Sequence, residues 1–224
     1  MLVTKERVDK YIDREDVIRY LGYRAGHKVP ARVSTLIDRH IQDASWLIEP
    51  QCSYVIKDVE RVEGTRVFLE DVIFESRVIA QLMQRCQKAA IFAVTIGGLL
   101  ELKVKRLVEK RQVLEAAIVD AIGSDAADKL AETIHSQIGE IASAQGLNVS
   151  LRFSPGYCDW DIAQQKMVFQ AMNGHSLGIR LTDSCLMVPR KSVSGIIGMS
   201  SCNGELEKWN PCKTCDQSDC PGRR

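Results

Sequence analysis

The stretch Ala89-Ala90-Ile91-Phe92-Ala93-Val94-Thr95-Ile96 decides the fold class. It shows no alternation of apolar and polar positions, which is the pattern of a strand buried on both faces. Such a strand belongs in the middle of a sheet. On its N-terminal side, Tyr54-Val55-Ile56 and Val67-Phe68-Leu69 are short β-branched runs separated by the turn signal Glu63-Gly64, and together they read as a hairpin. Ser76 then caps a helix carrying Val78, Ile79, Leu82, Met83 and Cys86, with Cys86 as a small core residue. On the C-terminal side comes Gly97-Gly98, whose amides could face an anion. Neither a dinucleotide fingerprint nor a phosphate-loop lysine follows, so the pair reads as a tight strand-to-helix turn.

Further out the pattern is helical. Asp13 can cap a helix through Val17, Ile18 and Leu21 that stops at Gly22, and Pro30 opens a second with Val33, Leu36, Ile37, Ile41, Ala44 and Ile48 on one face. His40 lies beside that stripe as a rim residue. Between Gln112 and Gly146 the spacing is again helical, with an expected break at Gly123-Ser124 and a second segment bearing Ala127, Leu130, Ala131, Ile134, Ile138 and Ile141. A strand from Val149 to Phe153, a helix from Ile162 to Met172 and strands around Ser184–Val188 and Val193–Met199 follow. The whole predicts an α+β protein with a central, mainly antiparallel twisted sheet flanked by helices. Residues 1–200 form the folded unit, and residues 201–224 a cysteine-rich extension.

Bulk composition narrows the function. The 224 residues carry 30 basic and 29 acidic side chains, a formal net charge of +1, so no charge excess points to nucleic acid or membrane as partner. The N-terminus lacks the apolar core of an export signal, and no window approaches the roughly 18 apolar residues of a membrane span. The expectation is a soluble, cytoplasmic protein. There, clustered cysteines serve as metal ligands or redox groups more often than as disulfides.

The loop Arg152-Phe153-Ser154-Pro155-Gly156-Tyr157 joins a fixed cation, a backbone turn and an aromatic face. Arg152 presents a planar fork to a carboxylate or phosphate, Pro155-Gly156 turns the chain where backbone can meet a ligand, and Tyr157 offers a ring or a hydroxyl. The plain alternative is a surface arginine followed by an ordinary turn. Cys158, next along, either faces a bound group as a redox relay or fills the turn as a partly buried thiol.

Several segments in order resemble the activation domain of cobalamin-dependent methionine synthase. They are Arg-x-x-x-Gly-Tyr at Arg152, Gly156 and Tyr157; Leu130-Ala131-Glu132; Leu181-Thr182-Asp183-Ser184; Met187-Val188-Pro189; and Ser192-Val193-Ser194-Gly195. The N-terminal half agrees only in general pattern. The resemblance implies S-adenosylmethionine as methyl donor, cobalamin carried by a partner protein, and a role in methionine biosynthesis through reductive reactivation of that partner. By the same resemblance Arg152 and Glu132 anchor the amino-acid end of the ligand, backbone around Ser154 and Gly156 holds the rest, and Tyr157 stands between methyl donor and corrin as the catalytic position. Glu132 can equally be a solvated helix residue. The chain is too short for the domains that bind folate, homocysteine or cobalamin, so it is expected to act as a separate activation subunit of a methionine synthase or related corrinoid methyltransferase, together with an electron donor.

The tail departs from that family. Cys202-x9-Cys212-x2-Cys215-x4-Cys220 crowds four thiols into the last 23 residues. Thiolate coordination of an iron–sulfur cluster or a structural zinc would order such a segment, and the need for an electron favours iron–sulfur. Free thiols on a loose tail are the alternative. Two rival functions therefore stand beside reactivation: a docking module for corrinoid proteins with structural zinc, and an iron–sulfur electron carrier to a corrinoid protein.

Overall fold

A computed structural model describes residues 11–24, 26, 28–172, 177–201, 206 and 209–210. In chain order the elements are α1 (Arg14–Tyr20), α2 (Ala31–Ala44), β1 (Gln51–Glu63), β2 (Arg66–Leu69), β3 (Val72–Glu75), α3 (Arg77–Met83), β4 (Lys88–Thr95), α4 (Leu99–Glu109), α5 (Val113–Ser143), β5 (Asn148–Val149), a 3-10 turn (Ile162–Gln164) leading into α6 (Gln165–Ala171), β6 (Arg180–Leu181), β7 (Met187–Val188) and β8 (Ser192–Ser200). Six strands form one antiparallel sheet in the order β3-β2-β1-β4-β8-β5, and β6 pairs with β7 separately. This is the α+β architecture expected.

Strand β4 lies inside the sheet, between β1 and β8, and every residue from Ala89 to Thr95 is buried. Ala90, Phe92 and Val94 pack into a core shared with α1, α2 and α5, whereas Ala89, Ile91 and Ala93 meet α3, α6 and Trp160 on the opposite face. Two covered faces leave no position for a polar residue, and alternation disappears. Strand β1 pairs with β4 through Gln51–Asp58 and then with β2 through Val59–Glu63, with an irregularity between Val59 and Arg61. One long strand thus serves two partners, and the sheet curls. At the outer edge, Gln164 accepts from the Glu75 N–H at 2.8 Å and donates to its carbonyl, and Gln170 reaches the Asp71 carbonyl. Two side-chain amides so occupy part of the open edge of β3, which lowers its value as a template for another strand.

The helix starts agree with the sequence. The Asp13 carboxylate accepts from the N–H groups of Glu15 and Asp16, and the Ser76 hydroxyl accepts from Ile79 N–H. Other details differ. No break occurs at Gly123-Ser124, because α5 runs for 31 residues without interruption. The aliphatic chain of Lys191 lies across Gly123, where a Cβ would meet its Cγ and Cε at 3.2 Å, and its ammonium reaches Asp120 at 2.9 Å and Ser124 at 2.8 Å. Gly123 is a packing site for a neighbour, and tertiary contact outweighs its weak helix preference. His40 is not on a rim but buried, with Nε2 2.9 Å from Glu115. The expected strand Val149–Phe153 is a two-residue strand plus an isolated bridge from Phe153 to Ile196, and β3 and β6 were not foreseen. Among the described residues no helix is long and apolar enough to cross a membrane.

Candidate functional site

Strand β8 carries the site. Ser150 donates its N–H to the Gly198 carbonyl at 2.9 Å, while Phe153 and Ile196 exchange N–H···O bonds of 3.0 and 2.8 Å. The segment leaving β5 is therefore laid along β8 with Arg152 and Ser154 flanking the bridge. Glycine at 195 makes this approach possible, and glycine at 198 leaves room for Cys86, just beyond α3. A Cβ on Gly195 would overlap the Phe153 carbonyl oxygen, and one on Gly198 would come within 2.5 Å of Cys86 Sγ. His135 on α5 adds a 2.8 Å contact from Nε2 to the Ser150 carbonyl.

Beyond Phe153 the chain turns tightly. Gly156 takes φ +94, a conformation favouring glycine, and donates its N–H to the Trp160 carbonyl at 2.7 Å. Tyr157 N–H donates to the Ser154 carbonyl at 3.2 Å, and the Ser154 hydroxyl to the Ser194 carbonyl at 2.6 Å. The turn is anchored by Trp160, whose buried ring meets Phe74 edge-on at 5.4 Å. Asp159 accepts from Ser76 Oγ and from the N–H groups of Arg77 and Val78 at 2.9, 2.6 and 3.2 Å. Burial by itself raises the Asp159 pKa, but these donors together hold it below the usual carboxylate value. Sequence reading missed this aspartate, although a carboxylate two positions beyond the loop motif was available as the signal.

A cavity of about 390 Å³ opens beside the turn, walled by Arg152, Ser154, Tyr157, Cys158, Gln165 and Cys185 among others. The Arg152 side chain is 19% exposed and lies 3.6 Å from Asp128, its charge partner among the described residues. That distance exceeds a hydrogen bond. Tyr157 is 56% exposed at the cavity wall, so its ring faces outward. Arg152, Ser154 and Tyr157 are thus brought together as the sequence suggested, with Gly156 shaping the turn rather than offering a spare amide.

Glu132 is placed elsewhere. It is 55% exposed, lies 3.6 Å from Lys129, and lines a neighbouring recess of about 280 Å³ with Asp16, Arg19, Tyr20, Asp125, Asp128 and Lys129. Asp128, one turn earlier on α5, borders both recesses and accepts from the Tyr20 hydroxyl. Its i, i+4 spacing from Glu132 was the available signal that the two share a helix face. Asp125, inside the smaller recess, is buried and accepts from Asp13 N–H at 2.6 Å; burial pushes its carboxyl up to about 6.

Cys86 is buried, as expected. Cys202, Cys212, Cys215 and Cys220 lie outside the described residues. Among the described residues no group of three or more His, Cys, Asp or Glu side chains could hold a metal ion.

Residues 61–203, which include α5, the arginine loop and β8, match the family model described as vitamin B12 dependent methionine synthase, activation domain. The chain belongs to this family. An activation domain has also been solved with a similar fold: the crystal structure of the MetH reactivation domain bound to AdoHcy aligns with a TM-score of 0.69 and 15% sequence identity, covering 88% of this chain and 77% of that one. At that identity the likeness is one of fold. No curated protein sequence matches the chain.

Proposed function

We propose that this activation domain binds S-adenosylmethionine in the cavity beside Arg152 and presents its methyl group to a cobalamin carried by a methionine synthase or related corrinoid protein, as part of reductive reactivation of that partner. The observation that carries the reading is Arg152 itself. A guanidinium with most of its surface removed from water, and only a 3.6 Å charge partner among the described residues, is short of hydrogen-bond acceptors. A ligand carboxylate supplies two in the fork geometry that arginine favours. The cavity volume falls in the range of small-molecule sites, and the related fold was solved with AdoHcy bound.

Arg152 takes the carboxylate. The ammonium faces the α5 carboxylates, Asp128 at the cavity wall and Glu132 one turn on, while the Ser154–Tyr157 turn borders the remainder of the ligand. The protein contributes by fixing the donor where an incoming corrin can meet it, an effect of position rather than of acid or base chemistry. Cobalamin supplies the metal-centred chemistry. The exposed Tyr157 ring belongs to the surface offered to the corrin. The electron comes from a separate donor or from an iron–sulfur cluster, or else zinc orders the four tail thiols; Cys-x2-Cys spacing supports a metal of either kind.

Titration calorimetry with S-adenosylmethionine tests the reading directly. The wild-type chain is expected to bind, and Arg152→Ala to lose about a hundredfold or more in affinity, as expected for removal of a charge-assisted bidentate contact. Equal affinities in the two proteins would place the ligand elsewhere.

A further inference from the structure

Tyr20, the last residue of α1, lies outside the family-matched residues 61–203, yet its hydroxyl donates to Asp128 at the border of the two recesses. Three contacts hold α1 in this place on α5. Asp13 N–H donates to Asp125 at 2.6 Å, Lys129 pairs with Asp16 at 2.8 Å, and Tyr20 reaches Asp128. Beneath them Val17 and Ile18 share a core with Ile122 and Ala126 of α5. The two oxygens of Asp128 have different neighbours. Oδ2 accepts from Tyr20, whereas Oδ1 lies 3.6 Å from Arg152. The Asp128 side chain is 46% exposed, and the terminal torsion of an aspartate is broad, so packing alone leaves the carboxylate free to turn. The hydroxyl bond stops it. Desolvation raises the Tyr20 pKa, and the bond to Asp128 raises it further, so the phenol keeps its proton and remains a donor at neutral pH.

We propose that Tyr20 is a positioning residue for ligand recognition, locking the Asp128 carboxylate with Oδ1 turned to the arginine cavity, where it receives the ammonium of S-adenosylmethionine. The inference rests on the proposed function and adds to it the element that sets the second anchor. An ammonium carries three donors and needs an acceptor already facing it. With Oδ2 engaged by the phenol, Oδ1 is the oxygen presented to the side of Arg152. The amino-acid end of the ligand then meets a cation and an anion held in fixed relation, and little rotational freedom is lost on binding. Tyr20 touches no reacting atom; it acts through Asp128. Helix α1 thereby becomes part of the ligand site, although its own side chains line the smaller recess and not the arginine cavity.

A double-mutant cycle in the full chain tests this, with calorimetry of S-adenosylmethionine and of its desamino analogue. Tyr20→Phe keeps the ring and removes only the donor, and a thermal melt by circular dichroism checks that it folds. The expected result is about a fivefold loss of S-adenosylmethionine affinity in Tyr20→Phe. In an Asp128→Asn background the same change should cost less than about twofold, because a residue that acts through Asp128 has nothing left to position. For the desamino analogue, wild type and Tyr20→Phe should agree within about twofold. A merely structural role for Tyr20 would instead weaken both ligands alike and add to the Asp128→Asn loss, and either result overturns the inference. So does an unchanged affinity in Tyr20→Phe when wild type binds and Arg152→Ala does not, an outcome that leaves the ligand assignment standing. Failure of wild type itself to bind S-adenosylmethionine rejects that assignment and the role of Tyr20 with it.

Discussion

The carbonyl of Phe153 passes so close to Gly195 that a Cβ at residue 195 would overlap its oxygen and stand 3.0 Å from its carbon. Backbone, not a flexible side chain, fills the space, so relief would require moving the strand or the loop. Gly195→Ala is therefore expected to destabilise the protein by about 2–3 kcal/mol, measured by urea denaturation, and to weaken ligand binding by displacing Arg152. Gly198→Ala meets Cys86 Sγ at 2.5 Å instead. Combining it with Cys86→Ala should recover much of its loss, whereas no single side-chain truncation should rescue Gly195→Ala.

What the sequence shows well is whatever a local pattern records. The apolar run at β4 reports two buried faces, Asp13 and Ser76 report helix starts, and Arg152 with Gly156 and Tyr157 reports the loop. What it hides depends on distant partners. Gly123 looks like a helix break until Lys191 is seen lying across it, and His40 looks peripheral until Glu115, 75 residues away, closes over it. Glu132 and Asp128 are indistinguishable as acidic residues on one helix face, and only the position of Arg152 separates them.

That separation is testable. Because Asp128 borders the cavity and Glu132 the adjoining recess, Asp128→Asn is expected to lower S-adenosylmethionine affinity about tenfold and Glu132→Gln by less than about threefold. Calorimetry at one ionic strength makes the comparison. A larger effect at Glu132 would return the ammonium to the residue that the family resemblance favours. An increase in affinity for Asp128→Asn would instead show that Asp128 competes with the ligand carboxylate for Arg152.

The four tail cysteines make a separate prediction. Anaerobically purified protein should contain iron and acid-labile sulfide, with a visible charge-transfer band, and Cys212→Ser or Cys215→Ser should abolish both. A colourless protein with stoichiometric zinc, lost to chelators, would assign the tail a structural role and leave the electron to an external donor. The Arg152 prediction is read separately, through ligand affinity and not through metal content.

The smaller recess sets a pH dependence. Asp125 is 1% exposed, faces Asp13, Asp16 and Lys129, and has its carboxyl pushed up to about 6 by burial, with the Asp13 N–H opposing and Asp16 reinforcing the shift. A folded-state pKa above the ordinary 3.8 means that the folded form binds this proton more tightly than the unfolded form does. Its contribution to stability is thus fully present below pH 3.8 and is lost as pH rises through about 6. Asp125→Asn keeps an oxygen acceptor for Asp13 but removes the ionisation. Relative to wild type, the variant should gain on the order of 2 kcal/mol between pH 4 and pH 7, then hold that advantage at higher pH. Denaturation midpoints taken at pH 4.5, 6 and 8 check the sign, and a variant whose relative stability is flat across that range would show that Asp125 titrates as an exposed carboxylate does.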